Sequence, residues 1–236
     1  MRTTADLAGL RVTVMGLGLH GGGAASARFL ARHGAQVTVT DLRDEKALEA
    51  SIRRLEGLPI RFVLGRHEDG DFETAYFVVK NPAVPSNSPY LSMARRIETD
   101  ISLFLRFSDP RLIAVTGSKG KSTVCSAIHG VLSSVYPNAR LGGNITTSPL
   151  DFTDSIDQGD PVVLELSSWQ LGDLAHTGLL DPAVSIVLNL LHDHQNRYSG
   201  MDAYAADKRV ICEGQGPRHT AILNYDDARV REFARS

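Results

Sequence analysis

Cysteine and tryptophan are scarce in this sequence, and long apolar runs are absent. The two cysteines among its 236 residues, Cys125 and Cys212, are too few for a disulfide framework and lack metal-binding spacing. We therefore expect two reduced, partly buried thiols. No stretch approaches the roughly 18 consecutive apolar residues of a membrane-spanning helix, and the first residues lack a signal-peptide pattern. These absences predict a cytoplasmic protein without a membrane partner.

An excess of one charge is also lacking. The formal net charge is −2, so the sequence has no basic surplus of the kind that nucleic acid binding requires. Its 42% hydrophobic and 22% charged residues are typical of a globular chain, and the length suits one large domain or two ordinary ones. We expect a monomer with no nucleic acid partner.

The most informative stretch begins at residue 112 and reads LIAVTGSKGKST. Leu112–Val115 is an apolar strand pattern, a glycine turn follows, and apolar residues at helical spacing continue to residue 132. Such a turn presents backbone N–H groups and a helix N-terminus to an anion. Lys121 could reach terminal phosphates, and the Ser122 hydroxyl could bind their magnesium. The predicted ATP-binding loop residues are Gly117, Ser118, Lys119, Gly120, Lys121, Ser122 and Thr123; the alternative is a plain turn between core elements.

A second glycine turn, GLGLHG, occupies residues 16–21. It lies between a predicted strand, Arg11–Met15, and a predicted helix, Ala24–His33, and the next strand, Gln36–Thr40, ends at Asp41. This spacing is that of a dinucleotide fingerprint, in which Asp41 would accept a ribose hydroxyl. Because the same geometry suits any nucleotide diphosphate, a nicotinamide cofactor and another nucleotide both stay open.

The remainder of the first half predicts a parallel α/β domain. Further elements are expected as strands at 60–64 and 75–79, a polar turn at 65–71, and helices at 90–96 and 100–107. Residues 81–89 contain three prolines and form either a loop over a substrate or a plain connector. We place the domains at 1–98 and 99–236.

In the second half, a glycine turn is expected at Leu141–Asn144, and Pro161–Glu165 reads as a buried strand. The carboxylate at its end is suited to a nucleotide's magnesium. Another apolar strand, Val184–Leu188, precedes His192 and His194, of which His194 is the better candidate for contacting a metal or phosphate.

Lys208 lies on the apolar face of a predicted helix, Met201–Cys212. An amine on a packing face loses hydration, which favours its neutral, nucleophilic form. It could then take up carbon dioxide and become a carbamate ligand for metal. The alternative is a lysine that extends to solvent beside Arg209.

Together, TGSKGKST, LGGN, LELSSWQL, NLLHDHQNRY and LNYDD, in this order, resemble the Mur ligase family and, within it, the members that add D-glutamate. The resemblance implies a Rossmann-like domain that binds a UDP substrate, followed by an incomplete P-loop ATPase-type α/β domain. It also implies an ATP-dependent amide ligase of peptidoglycan precursor synthesis, with UDP-N-acetylmuramoyl-L-alanine and D-glutamate as substrates and an acyl phosphate intermediate.

The resemblance assigns a role to each matching residue. Lys121 would stabilise the transferred phosphoryl group, and two Mg²⁺ ions would be bound, one by Ser122 and Glu165 and one by His194 and carbamylated Lys208. Catalytic roles would fall to Lys121, His194 and Lys208. Further contacts to ATP would come from Asn224 and Asp227, and contacts to the UDP substrate from Leu19, His20, Asp41, Arg43, Asn144 and Ser167.

The sequence departs from the family pattern at Ala83, Ser102, Thr146 and His192. Family members also continue beyond the length of this chain, so a fragment is expected that binds the uridine nucleotide without turnover. The alternatives are an NAD-dependent oxidoreductase, a non-catalytic nucleotide-binding module, and a folate polyglutamylating ligase. The GLGLHG domain argues against the last, because those enzymes start near the ATP loop.

Overall fold

The computed structural model describes residues 1, 3–19, 21–145, 147–192 and 198–235. The chain forms two compact units. The first consists of Met1–Phe107 and Thr146–Asp154, and the second of Ser108–Ile145 and Ser155–Ser236. Each unit contains one five-stranded sheet of parallel strands. The expected class of two successive parallel α/β domains is confirmed.

The first unit has strand order β3-β2-β1-β4-β5. Its strands are β1 (Arg11–Met15), β2 (Gln36–Asp41), β3 (Ile60–Leu64), β4 (Phe77–Lys80) and β5 (Ile97–Glu98). Its helices are α1 (Gly22–Arg32), α2 (Glu45–Arg53), α3 (Asp69–Glu73), α4 (Pro89–Ser92) and α5 (Asp100–Phe107). The strand order reverses between β1 and β4, and in such sheets ligands bind outside the carboxyl ends of the strands at that point.

Close packing explains the glycine at position 23, in the first turn of α1. A Cβ at Gly23 would lie 2.4 Å from the Gly16 carbonyl oxygen and 2.5 Å from that of Leu17. Only glycine lets α1 begin this close to β1. The turn therefore presents the start of α1 directly over the end of β1.

Residues 147–154 belong to the first unit although the chain on either side belongs to the second. The Ser148 hydroxyl donates to the buried Asp100 carboxylate at 2.9 Å, and Arg28 pairs with Asp151 at 2.5 Å. Phe152 packs edge-on against Phe104. The predicted boundary after residue 98 lies before α5, whereas the contacts of α5 and of residues 147–154 assign both segments to the first unit.

The second unit has strand order β10-β9-β6-β8-β7. Its strands are β6 (Arg111–Thr116), β7 (Arg140–Gly143), β8 (Pro161–Glu165), β9 (Val184–Val187) and β10 (Thr220–Leu223). Its helices are α6 (Lys121–Ser133), α7 (Ser168–Leu174), α8 (Met201–Arg209) and α9 (Ala228–Glu232). The central β6 and β8 are buried along nearly their whole length, as expected for apolar strands covered on both faces.

Two local predictions were wrong. The predicted turn at Leu141–Asn144 lies largely in β7, which pairs with β8 and places Gly143 beside Glu165. A Cβ at Gly143 would lie 2.2 Å from the Glu165 carbonyl oxygen, so this glycine serves a close strand approach. The predicted helix at 90–96 is the short helix α4, which ends at Ser92.

Candidate functional site

The loop between β6 and α6 has the geometry of a phosphate cradle. Gly120 has a φ of +84° and is the residue from which α6 starts, and Gly117 has a φ of +154°. A Cβ at Gly117 would lie 2.9 Å from the Leu188 side chain. Backbone freedom and close approach therefore account for both glycines.

The amide side chain of Asn189 reveals where the loop's donors point. Its Oδ1 accepts hydrogen bonds from the backbone N–H groups of Ser118, at 3.0 Å, and Lys119, at 2.9 Å. Its Nδ2 donates to the Lys119 carbonyl at 3.1 Å. Two successive N–H groups thus converge on one oxygen, which is the arrangement that binds anions. Asn189 was not among the predicted site residues.

Lys121 folds back over this loop. Its Nζ donates to the carbonyls of Gly117, at 2.9 Å, and Ser118, at 3.1 Å. These neutral partners hold the ammonium group at the loop. A phosphate seated there would add a charge-assisted contact.

Glu165, at the carboxyl end of β8, joins two neighbouring side chains. The carboxylate is 2% exposed and accepts from the Ser122 hydroxyl at 2.7 Å and the Asn144 amide at 3.0 Å. The backbone N–H of Asn144 also donates to the Glu165 carbonyl at 2.8 Å. Glu165 therefore joins two other predicted site residues, Ser122 and Asn144, which come from separate parts of the chain.

Cys125 lies on α6 one turn after Lys121, and it is fully buried and free of disulfides. Burial raises the pKa of its thiol to about 12, and the nearby charge of Glu165 contributes in the same direction. Burial also raises the pKa of Cys212. Because the thiolate is the reactive form, burial lowers the reactivity of both thiols.

Lys208 is 1% exposed, so it does not extend to solvent as the alternative had it. Its Nζ donates to the Thr116 hydroxyl at 3.2 Å and the Gly117 carbonyl at 3.0 Å. The ammonium also lies 4.8 Å from the centre of the Tyr204 ring, and the Tyr204 hydroxyl lies 2.9 Å from the Ser118 hydroxyl. These contacts place the lysine amine at the base of the loop between β6 and α6.

A cavity of about 140 Å³ brings together four of the predicted site residues of the second unit, Lys121, Asn144, Ser167 and Lys208. Its lining consists of Lys121, Asn144, Ser167, Ser168, Trp169, Tyr204 and Lys208. Ser167 also caps α7, because its hydroxyl accepts from the Gln170 backbone N–H at 3.3 Å.

Asn224 and Asp227 do not line this cavity. Asn224 donates to the Leu188 carbonyl at 2.8 Å. One carboxylate oxygen of Asp227 accepts from the Leu190 backbone at 2.7 Å, and the other caps the first turn of α9. Their described contacts therefore shape the loops after β9 and β10.

A second pocket, of about 760 Å³, lies in the first unit beside the GLGLHG turn. Leu19, Asp41 and Arg43 line it, as does the proline-containing loop. The Asp41 carboxylate is buried and accepts from the backbone N–H groups of Gly18, at 3.1 Å, and Arg43, at 2.9 Å. Asp41 thus joins the glycine turn to the end of β2.

Asn81, His67 and Tyr90 are pocket residues that were not among the predicted UDP-substrate residues. Asn81 donates to the Gly16 carbonyl at 3.3 Å, and His67 and Tyr90 form part of the wall. The signal for Tyr90 in the sequence is its position directly after the proline-containing loop, residues 81–89. His67 lies in a stretch predicted only as a polar turn.

Two predicted residues, His20 and His194, lie outside the described residues. Within the described part of the chain, no group of three or more histidine, cysteine, aspartate or glutamate side chains could hold a metal ion. Across residues 1, 3–19, 21–145, 147–192 and 198–235, no helix combines the length and apolar character needed to cross a bilayer.

Comparison with known families identifies the chain at the level of family. A model of the Mur ligase middle domain matches residues 115–236, and one of the MurD-like Mur ligase N-terminal domain matches residues 10–102. The chain belongs to the Mur ligase family. The Mur ligase matches do not favour an NAD-dependent oxidoreductase.

Individual Mur ligases support the assignment. UDP-N-acetylmuramoylalanine--D-glutamate ligase of Treponema pallidum is 50% identical over 244 residues, covering 97% of this chain and 46% of the relative. The ligase of the same name from Borreliella afzelii is 50% identical over 232 residues, covering 98% of this chain and 50% of the relative. The chain therefore spans about half the length of these curated relatives.

Solved structures show the same fold at low sequence identity. A UDP-N-acetylmuramate:L-alanyl-gamma-D-glutamyl-meso-diaminopimelate ligase from Neisseria meningitides has a TM-score of 0.63 at 15% identity, covering 97% of this chain and 75% of that one. A UDP-N-acetylmuramate-alanine ligase from Thermotoga maritima has a TM-score of 0.54 at 22% identity, covering 95% and 51%. At these identities the likeness concerns the fold alone.

Proposed function

We propose that the chain supplies the ATP-binding and UDP-substrate-binding parts of a ligase that joins D-glutamate to UDP-N-acetylmuramoyl-L-alanine. The observation that supports this best is the cavity lined by Lys121, Asn144, Ser167 and Lys208 beside the bonded pair Ser122 and Glu165. The names of the relatives in Treponema and Borreliella supply the substrates.

The reaction would proceed through two displacements. The substrate carboxylate attacks the γ-phosphorus of ATP, ADP leaves, and an acyl phosphate forms. The amine of D-glutamate then attacks the acyl carbon, inorganic phosphate leaves, and the amine loses a proton. Lys121 would offset the negative charge on the transferred phosphoryl group, since its ammonium already lies at the loop.

The residues present fit one magnesium ion. Mg²⁺ favours oxygen ligands and, in nucleotide sites, often binds one or two protein groups together with phosphate oxygens. The Ser122 hydroxyl and the Glu165 carboxylate provide such oxygens, and they lie 2.7 Å apart at the start of α6. Bound there, the ion would screen the charge between carboxylate and phosphate.

A carbamate on Lys208 would add a second anionic ligand. Its amine is buried, borders the cavity and contacts the loop carbonyl of Gly117. The partner expected for a second magnesium is His194, proposed from the sequence. Incubation with ¹³C-bicarbonate should give a carbamate carbonyl signal that Lys208→Met lacks; equal signals in both proteins would exclude carbamylation at this residue.

The pocket of the first unit would bind the uridine diphosphate end of the substrate. Its glycine turn offers backbone donors and the start of α1 to a diphosphate. Leu19, Asp41 and Arg43 line the adjacent wall, and His20 is assigned from the sequence.

Calorimetric titration with ATP and Mg²⁺ tests the proposal on this chain. Lys121→Ala should weaken binding by about 10- to 100-fold, the effect of losing hydrogen bonds to a charged group. Arg111→Ala is the matched control, because it removes a positive charge at the opposite end of β6. If both variants bind ATP as well as the unaltered chain does, the proposed ATP site is wrong.

A further inference from the structure

His67 lies in the wall of the first-unit pocket and has a defined hydrogen-bonding state. Its Nδ1 lies 2.7 Å from the Thr40 hydroxyl oxygen. The same hydroxyl lies 3.0 Å from the Arg66 carbonyl, to which it donates. Because a hydroxyl has one proton and a carbonyl can only accept, both contacts are satisfied only when Nδ1 carries a proton and donates to Thr40.

This arrangement leaves the other ring nitrogen as an acceptor. In a neutral imidazole with a protonated Nδ1, Nε2 carries a lone pair and no proton. Burial lowers the pKa of His67, which favours the neutral ring, although the nearby Asp41 carboxylate acts in the opposite direction. Nε2 forms no hydrogen bond within the described part of the chain, and it lies on the ring edge away from Nδ1.

Packing fixes the orientation of the ring. It lies edge-on to Tyr90, with ring centres 4.7 Å apart, and edge-on to Phe72 at 5.7 Å. Phe72 is fully buried. With Thr40 holding Nδ1 and two aromatic rings beside it, the imidazole presents its acceptor from a fixed position.

The order of the strands indicates which part of a ligand would reach His67. The glycine turn follows β1, Asp41 ends β2, and His67 follows β3, in a sheet ordered β3-β2-β1. Neighbouring strands are about 4.8 Å apart, so β3 lies roughly 10 Å from β1. A nucleotide with its diphosphate on the glycine turn would therefore extend its base toward β2 and β3.

Apolar groups are present on that side. Leu19 and Leu42 line the pocket and are 50% and 67% exposed. Exposed leucines beside a pocket can cover the faces of a planar base, which leaves recognition of the base edge to polar atoms.

We propose that His67 is a specificity-determining residue of this pocket, whose Nε2 accepts a hydrogen bond from the imide N–H of a uracil base. This inference rests on the proposed function, because it takes a uridine diphosphate as the ligand. Cytosine has a lone pair in place of that N–H, so it would set two acceptors against each other. The selection acts against the mismatched base as well as for the correct one.

Calorimetric titrations with four nucleotides test the proposal. UDP has the imide N–H, CDP and 3-methyl-UDP lack it, and 2′-deoxy-UDP keeps it while lacking a ribose hydroxyl. The unaltered chain should bind UDP about 10-fold more tightly than CDP or 3-methyl-UDP, since a mismatch leaves a polar group unpaired. Deoxy-UDP should retain most of the affinity.

Two variants separate the acceptor from the packing of the ring. His67→Asn retains a donor near Nδ1 but lacks any group at Nε2, so its preference for UDP over 3-methyl-UDP should fall close to one. His67→Gln can place an amide oxygen near Nε2 and should keep part of the preference. Circular dichroism melting curves identify any variant that is unfolded.

The outcomes are distinct. An unchanged UDP preference in folded His67→Asn overturns the role of His67 while leaving the uridine site intact. If the affinity falls with 2′-deoxy-UDP but not with 3-methyl-UDP, the contact is to the ribose. That result also overturns the role of His67. Failure of the unaltered chain to bind UDP at all overturns both this inference and the proposed uridine site.

Discussion

Replacing Gly143 by alanine should destabilise the second unit beside Glu165 of the candidate site. Gly143 has a φ of +98°, and an added Cβ would lie 2.2 Å from the Glu165 carbonyl oxygen. The left-handed conformation alone costs an alanine about 1–2 kcal/mol. Because the overlapping atom belongs to the backbone of β8, relief requires the strands to separate, and we expect a total loss of about 3–5 kcal/mol.

Gly130→Ala is a matched control with the opposite sign. Gly130 lies within α6, and a Cβ there would meet no atom within 4 Å. Replacing an unconstrained helical glycine with alanine should stabilise the unit by about 0.5–1 kcal/mol. The same chemical change is therefore expected to give effects of opposite direction within one unit.

Fluorescence from Trp169 provides a local assay, because it is the sole tryptophan of the chain and borders the cavity. With a urea m-value of about 2 kcal/mol/M, Gly143→Ala should lower the midpoint by roughly 1.5–2.5 M. Gly130→Ala should raise it by about 0.3–0.5 M, again from the m-value. Equal midpoints for Gly143→Ala and the unaltered chain would refute the close approach of β7 to β8.

Three further predictions concern buried groups. Burial raises the pKa of Asp100 above its ordinary value of 3.8, so the folded state favours the protonated acid and loses stability as the pH rises through that raised pKa. Asp100→Asn should therefore be more stable than the unaltered chain at pH 7, and this advantage in melting temperature should vanish near pH 4; an advantage that grows on acidification would contradict the assignment. At pH 8, iodoacetamide should alkylate folded Cys125 roughly 1000-fold more slowly than an ordinary thiol by mass spectrometry, because its pKa is about 12 against 9.0; comparable rates would show that it is not buried. Lys208→Met should keep the fold, measured by circular dichroism, while abolishing any carbamate signal; unfolding would instead assign the lysine a structural role.

Apolar strands could be predicted from the sequence with little error. Arg11–Met15, Ile60–Leu64 and Pro161–Glu165 have the predicted bounds. All three consist largely of apolar or β-branched residues, and turn-forming residues follow them. The helix Asp100–Phe107 also has the predicted bounds, because its apolar residues fall on one face.

Contacts between distant parts of the chain could not be predicted in the same way. Asn189 bonds a loop about 70 positions earlier, and no local pattern marks an asparagine for that partner. His67 obtains its tautomer from Thr40, which lies on β2, 27 positions earlier. Gly143 was placed in a turn because glycines favour turns, but its positive φ here serves a parallel strand pair.

The residues predicted to bind ATP and the UDP substrate stay predictions. The geometry of the structure supports some of them more strongly than others. Lys121, Asn144, Ser167 and Lys208 share one cavity, whereas the described contacts of Asn224 and Asp227 are with backbone groups of nearby loops.

The return of residues 147–154 to the first unit affects how the two halves could be separated. A chain ending at Phe107 would lack the partners that cover Phe104 and bond Asp100. A second half beginning at Ser108 would carry Leu150 and Phe152 without the surface that buries them. The two units are thus interleaved along the gene. Splitting the gene at a single position would leave an exposed hydrophobic surface on both products.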